Sequence, residues 1–151
     1  MKKQIDITQI YLTKACPGYG KITFESGYNI KLHQEEIKTA QWIHDHLGGD
    51  IILLNEKSGS FGVKRPDFEW KGKLWELKSV KSEKSIDTAL RKAIGQIFDN
   101  PGGVILDFQN TLEKKSQIEA VIKSRIETSC RFRIHIIIIY KEKLYKVLEY
   151  Q

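Results

Sequence analysis

The amino-acid sequence predicts a single α/β domain built around a mixed β-sheet. Its 151 residues suit one compact domain, and 40% of them are hydrophobic, which is enough for a buried core. From residue 32 to residue 108, helical and strand patterns follow one another in the order α-β-β-β-α-β. We expect a β-rich extension over residues 1–30 and the main domain over residues 31–151, which ends in a helix and a β-hairpin.

The N-terminal elements are predicted from residue type and periodicity. Residues 7–13 and 21–24 are rich in β-branched and aromatic side chains, which favours strands. Residues 32–47 show helical spacing and end at Gly48, which is typical of a helix C-terminus. The apolar stripe of this helix consists of Leu32, Ala40, Ile43 and Leu47. Residues 50–55 form a continuous apolar run that indicates a buried strand.

A β-hairpin is predicted where two alternating runs flank Lys71 and Gly72. Counting outward from a two-residue turn places Asp67 opposite Glu76. The pairs nearer the turn are Trp70 with Lys73, Glu69 with Leu74, and Phe68 with Trp75. Because side chains alternate along a strand, Asp67, Glu76 and Lys78 then share one face. The side chains expected to point into the core are Phe68, Trp70, Trp75 and Leu77.

The C-terminal half is predicted to contain two helices and three strands. Ser85 is a suitable N-cap for a helix that runs to about residue 99. The later elements are a strand at residues 104–108, a helix at 112–127, and a hairpin of strands 132–140 and 144–148 around residues 141–143.

Cysteine content and hydropathy exclude several classes of protein. Cys16 and Cys130 lack the spacing of a structural zinc site and are too few for a disulfide framework. No apolar run approaches the roughly 18 residues needed to span a bilayer. The first residues are mixed and polar, so we expect no signal peptide and no membrane span.

Positive charge is concentrated in one part of the chain. The whole sequence has a net charge of +6, and the segment from residue 57 to residue 92 holds ten Lys and Arg against five Asp and Glu. A localised positive field indicates a polyanionic partner, of which nucleic acid is the first choice. The alternative is a solvated, lysine-rich surface.

Asp67 and Glu76 are the strongest site candidates. Two carboxylates on opposite positions of neighbouring strands repel each other unless a divalent cation or the Lys78 ammonium neutralises them. The alternative is an ordinary wet hairpin face. Glu36 lies within the apolar stripe of its helix, so it needs either a partner or a function. A glutamate at the helix edge that reaches solvent is the alternative for Glu36.

This set of residues suits phosphodiester cleavage. Asp67 and Glu76 would bind Mg²⁺ or a similar ion, and Lys78 would stabilise charge on the phosphate. Glu36 would act as an auxiliary acid. Basic and polar neighbours would hold the substrate, mainly by phosphate contacts. These candidates are Lys57, Ser58, Lys64, Arg65, Lys81, Thr88, Arg91 and Gln96.

The sequence resembles known nucleases at two levels. Pro66-Asp67, followed across a hairpin by Glu76-Leu77-Lys78, resembles the PD-(D/E)XK nuclease superfamily. A longer stretch is similar to the C-terminal nuclease domains of CdiA-type contact-dependent growth inhibition toxins. Its segments are FGVKRPDFEWKGKLWELKS, the helix with Arg91 and Gln96, and NPGGVILDF.

The resemblance implies a toxin domain that cleaves RNA, often tRNA, and that a cognate immunity protein neutralises. It also implies delivery within a larger protein or mobile element and action in the cytoplasm of a target bacterium. Some toxins of this kind have the metal-independent barnase/EndoU/colicin/RelE-like α+β fold. In that fold Glu76 and Lys78 would be acid–base groups and no metal would be needed.

Three other functions are consistent with the sequence. One is a metal-dependent DNA endonuclease with the same site. Another is a non-catalytic nucleic-acid-binding module, although opposed acids would hinder phosphate binding in such a protein. The third is an interaction module whose terminal hairpin pairs with a partner's sheet.

Overall fold

A computed structural model describes residues 2–55, 66–80, 83–97, 102–108 and 114–151 of the chain. These segments contain four helices and eight strands. In chain order they are β1 (Gln4–Asp6), α1 (Thr8–Lys14), β2 (Ile22–Phe24), α2 (Gln34–His46), β3 (Ile51–Leu53), β4 (Phe68–Trp70), β5 (Lys73–Ser79), α3 (Glu83–Ile97), β6 (Gly103–Phe108), α4 (Lys115–Ser129), β7 (Ile134–Tyr140) and β8 (Lys143–Tyr150).

All eight strands belong to one mixed sheet in the order β1-β8-β7-β6-β5-β4-β3-β2. The pairs β5–β6 and β6–β7 are parallel, and helices α3 and α4 provide the two crossovers that such pairs require. Strands β3, β4 and β5 are joined antiparallel. The predicted mixed α/β fold, with its α-β-β-β-α-β order from α2 to β6, is confirmed.

Helices cover both faces of the sheet. On one face, α1 and α2 pack on strand residues that include Trp70 and Trp75. On the other face, α3 and α4 pack on Val104 and Leu106. In α4 the buried side chains are spaced by four residues: Ile118, Ile122 and Ile126. Burying each of them stabilises the fold by about 1.5–3 kcal/mol. None of the helices in the described segments is long and apolar enough to cross a membrane.

The central hairpin has the predicted turn. Lys71 and Gly72 both have positive φ angles, 54° and 70°, which is the conformation of a two-residue type I′ turn. The three predicted pairs next to the turn are present: Phe68 with Trp75, Glu69 with Leu74, and Trp70 with Lys73. The turn therefore fixes the register of the strands that lead to Asp67 and Glu76.

The strand predicted at residues 7–13 is wrong, because the chain forms helix α1 there. Asp6 Oδ1 accepts a 2.9 Å hydrogen bond from the Thr8 amide as the helix begins. Ile7 and Tyr11 are four residues apart, and both are buried against the sheet. Burial at helical spacing therefore outweighs the strand propensity of the β-branched residues.

Three finer predictions also need correction. Helix α3 begins at Glu83, so Ser85 lies inside the helix and is not its N-cap. Leu32 precedes α2 and is 71% exposed, because the helix starts only at Gln34. The last turn comprises Lys141 and Glu142 alone, both with positive φ. Residues 99 and 112, the predicted limits of two helices, lie outside the described segments.

Gly103 offers a direct test of the packing between β5 and β6. A Cβ atom built at Gly103 would overlap the indole ring of the fully buried Trp75. We expect Gly103→Ala to lower the free energy of unfolding by about 2–3 kcal/mol in urea titrations, as overpacking does. Gly95→Ala is the matched control, because a Cβ at Gly95 meets no atom within 4 Å. In helix α3 it should stabilise by about 0.5–1 kcal/mol. Equal stability of the Gly103 variant and the native chain would contradict this packing.

Candidate active site

A cavity of about 350 Å³ lies beside the start of β4 and the second half of β5. Residues from α2 and α3 line it together with the hairpin, so helices from both faces of the sheet contribute. The lining residues are Leu32, His33, Gln34, Glu35, Glu36, Asp67, Glu76, Leu77, Lys78, Ser79 and Gln96. The structure thus brings all four predicted catalytic residues into one cavity.

Asp67 is held by an irregular end of the β4–β5 ladder. Its backbone N–H donates to the carbonyl of Trp75 at 2.9 Å, although Trp75 is already the register partner of Phe68. Its side-chain Oδ2 accepts the Leu77 N–H at 2.7 Å, so a carboxylate takes the place of a backbone acceptor. Asp67 is therefore not part of a regular pair with Glu76, and its side chain is fixed at the cavity wall.

Glu76 and Lys78 form an ion pair on β5. Lys78 Nζ lies 3.1 Å from Glu76 Oε2. Glu76 is only 2% exposed, and its Oε1 receives no hydrogen bond from any donor in the described segments. A buried, unpaired carboxylate oxygen is costly to retain. Glu76 is one of the residues that line the cavity, so a ligand or cation bound there would be close to this oxygen.

Glu36 is positioned by two residues that precede it. The Tyr28 hydroxyl donates to Glu36 Oε2 at 2.7 Å, and His33 Nδ1 lies 3.3 Å from Oε1. Neither was among the predicted site residues. His33 and Glu36 are three residues apart, and side chains at this spacing on a helix are neighbours, so their contact is predictable from the sequence. Tyr28 comes from a loop, and no local pattern connects it to Glu36.

Burial and mutual repulsion raise the pKa values of all three carboxyl groups. Burial and the neighbouring Asp67 raise the pKa of Glu36 to about 8. Burial, followed by the charge of Glu76, raises the pKa of Asp67 well above its usual range. The pKa of Glu76 is raised mainly by burial, and hydrogen bonding to Asp67 and the ion pair with Lys78 oppose that change. Asp67 lies within hydrogen-bonding reach of both glutamates, so the three groups titrate as one cluster.

The raised pKa of Glu36 predicts how stability depends on pH. An acid whose pKa rises on folding contributes most stability below its unfolded value of 4.5, and that contribution is lost as the pH rises toward about 8. In EDTA, we expect the unfolding free energy of the native chain to fall between pH 5 and pH 9 by about 2 kcal/mol more than that of Glu36→Gln. Glu35→Gln, at the exposed neighbouring position, should behave like the native chain. Parallel pH profiles for the native chain and Glu36→Gln would contradict the raised pKa.

The predicted substrate-binding residues are only partly described. Gln96 of α3 lines the cavity, and its buried Oε1 has no hydrogen-bond partner in the described segments. Thr88 and Arg91 are exposed on the same helix, and neither lines the cavity. Five further candidates lie outside the described residues: Lys57, Ser58, Lys64, Arg65 and Lys81.

The carboxylates of Asp67 and Glu76 suit a hard cation that takes only some of its ligands from the protein. Within the described segments, no group of three or more His, Cys, Asp or Glu side chains is arranged to enclose a metal ion. Mg²⁺ is usually held by one or two carboxylates and completes its shell with water and substrate phosphate. Asp67 and Glu76 meet that requirement, because both are carboxylates at the cavity and Glu76 Oε1 is unpaired.

The comparison with known proteins gives a similarity in fold. No protein-family model matches the sequence, and no curated protein matches it. Among solved structures, the chain is similar to the CdiA-CT/CdiI toxin and immunity complex from Burkholderia pseudomallei. The TM-score is 0.49 at 11% sequence identity, over 82% of this chain and 97% of that chain. The similarity concerns the fold alone.

Proposed function

We propose that this chain is an endonuclease that cleaves phosphodiester bonds in RNA. The supporting observation is the convergence of three carboxyl groups and one ammonium group in a single cavity. Collecting Glu36, Asp67 and Glu76 in a buried cluster raises their pKa values, so the arrangement costs folding stability. Buried clusters of ionisable groups that lower folding stability in this way are characteristic of functional sites.

Lys78 supplies the positive charge of the proposed site. Its ammonium pairs with Glu76 on one side and faces the cavity, so a phosphate that enters would meet a cation already held in place. A preorganised donor of this kind stabilises the charge that develops on a phosphate in the transition state. Asp67, anchored by the Leu77 amide, and Glu76 would hold a divalent metal ion. When bound, that ion would polarise the phosphoryl oxygen and lower the pKa of a bound water.

Glu36 is the proposed auxiliary acid. With a pKa of about 8 it carries a proton at neutral pH, so it can donate one during the reaction. Tyr28 and His33 orient its two oxygens from outside the cluster. The members of the cluster therefore have different roles. Asp67 and Glu76 bind the ion, Glu36 holds the proton, and Lys78 contacts the phosphate.

We further propose that the substrate is tRNA and that the chain acts as a toxin domain. The support is the sequence resemblance to CdiA-type nuclease domains, which includes Asp67, Glu76 and Lys78 themselves. Its partners would then be tRNA and a cognate immunity protein. It would be delivered as part of a larger protein and would act in the cytoplasm of a target cell.

A cleavage assay tests the proposed function. The purified chain is incubated with tRNA and with duplex DNA, each with Mg²⁺ and with EDTA, and the products are resolved on denaturing gels. We expect tRNA to be cut in Mg²⁺ and duplex DNA to stay intact. Cleavage of DNA alone would favour the DNA endonuclease. Binding of tRNA without cleavage under all conditions would refute the enzyme and favour the binding module.

A further inference from the structure

A second cavity, of about 310 Å³, lies at the opposite end of β5. Lys73 begins that strand and faces the second cavity, whereas Lys78 faces the first. The two lysines are five positions apart along the strand, which corresponds to about 17 Å. The second cavity is lined by Ile7, Ile10, Tyr11, Lys14, Lys71, Lys73, His135 and Glu149. None of these residues belongs to the candidate active site.

The acid that lines this cavity is already engaged. His135 Nε2 lies 3.0 Å from Glu149 Oε1, and its Nδ1 lies 2.8 Å from the Tyr11 hydroxyl. Gln151 donates a further 3.0 Å hydrogen bond to Glu149 Oε2. Glu149 is the one carboxylate among the described residues around the cavity, and these contacts leave it directed toward His135 and Gln151.

Among the described residues, none of the three lysines around the cavity lies within ion-pair distance of a carboxylate. Within the described segments, no ion pair joins Lys14, Lys71 or Lys73 to an acid within 4.0 Å. Lys71 Nζ instead lies 4.9 Å from the centroid of the Tyr11 ring. Lys73 Nζ lies 3.3 Å from His135 Nδ1, a neutral or positive partner.

Burial and neighbouring positive charges lower the pKa values of Lys71 and Lys73. Burial lowers the pKa of Lys71, and the nearby Lys14 lowers it further. Burial also lowers the pKa of Lys73, the charge of Glu149 opposes that change, and Arg133 adds to it. Cations crowded around a cavity repel one another, and an anion placed between them removes that cost. The side chains of Ile10 and Tyr11 add an apolar wall beside the charged groups.

We propose that this cavity is a second binding site, for the phosphate group of a nucleotide, either free or within an RNA strand. The lysine ammoniums would bind the phosphate, and the wall formed by Ile10 and Tyr11 would contact the ribose or base. A volume near 300 Å³ is at the lower end of the range for small-molecule sites, which fits one nucleotide. The proposal does not depend on cleavage, because the two cavities share no residue.

Titration calorimetry tests this site with four probes: inorganic phosphate, adenosine, adenosine 5′-monophosphate and a six-nucleotide RNA without terminal phosphates. All chains carry Glu76→Gln so that the RNA stays intact. We expect binding of the monophosphate, the RNA or both, and none of adenosine. Lys71→Gln combined with Lys73→Gln should weaken that binding at least about tenfold. The control combines Lys114→Gln with Lys123→Gln, which removes the same charge from exposed positions on or beside α4, and should bind within about twofold of the parent.

The outcomes separate the two sources of phosphate. Binding of the monophosphate identifies a free nucleotide or strand end, and binding of the RNA alone identifies an internal phosphodiester. Unchanged affinity in the Lys71–Lys73 variant, or no saturable binding of any phosphate probe by the parent, would overturn the proposal. Because Lys71 packs on Tyr11, the folded state of each variant is checked by circular dichroism. Lys14→Gln, at an exposed position, gives an independent variant if the double variant unfolds.

Discussion

Lys78→Ala is expected to lower the rate of tRNA cleavage by about 10²–10³-fold, the usual effect of removing one transition-state donor. The ammonium of Lys78 lies 3.1 Å from Glu76 and faces the cavity where a phosphate would bind. Its removal therefore takes away the preorganised positive charge of the site. The rate is measured under single-turnover conditions on a 5′-labelled tRNA, so that product release does not mask the chemical step.

A loss of stability must be separated from this loss of activity, because Lys78→Ala leaves a buried carboxylate without its cation. Urea titration at the assay pH gives the fraction of folded chain, and the rate is corrected for it. Lys123→Ala is the control, since Lys123 is exposed on α4 and remote in sequence from the site. Lys78→Arg keeps the charge but changes the donor geometry, and it should recover part of the rate. A folded Lys78→Ala variant that cleaves at the native rate would exclude Lys78 from the proposed mechanism.

The central hairpin was predictable because its determinants are local. A two-residue turn at Lys71 and Gly72 fixes the register, and the alternation of apolar and charged residues fixes the faces. The same register predicts that Asp67 lies near Glu76. It also predicts that the two form a regular pair, which they do not. The actual contact, Asp67 Oδ2 with the Leu77 amide, depends on how the ladder ends, and no residue pattern specifies that.

Contacts that join distant parts of the chain were not predictable from pattern. Helical spacing was enough to predict that Glu36 lies within the apolar stripe of its helix. The proximity of Glu36 to Asp67 results from how α2 packs on the sheet. Helix α1 was missed because its residues favour strands one by one, and only burial of Ile7 and Tyr11 on the sheet selects the helix. The second cavity combines α1 with β5 and β7, so its residues come together only in the folded chain.

Removal of divalent metal is expected to reduce cleavage by about 10³-fold or more, since a bound ion supplies several kcal/mol of charge stabilisation. The same ion should stabilise the folded chain, because it would neutralise the repulsion within the Asp67–Glu76 cluster. At a Mg²⁺ concentration of about 100 times the dissociation constant, linkage gives about 2.7 kcal/mol of added stability. Thermal unfolding with and without Mg²⁺ measures this effect independently of catalysis.

Glu76→Gln tests whether that stabilisation arises at the proposed site. The amide retains the shape of the side chain but loses the negative charge, and Glu76 Oε1 is the unpaired oxygen that a cation would use. The variant should lose both cleavage and the Mg²⁺-dependent rise in unfolding temperature. Glu35→Gln removes one charge from the exposed rim of the same cavity and should retain both. If EDTA leaves cleavage unchanged and Mg²⁺ leaves the unfolding temperature unchanged, Glu36, Glu76 and Lys78 must act by metal-independent acid–base catalysis. In that case Glu36→Gln should strongly reduce cleavage, because the pKa of about 8 leaves Glu36 with a proton to donate at neutral pH.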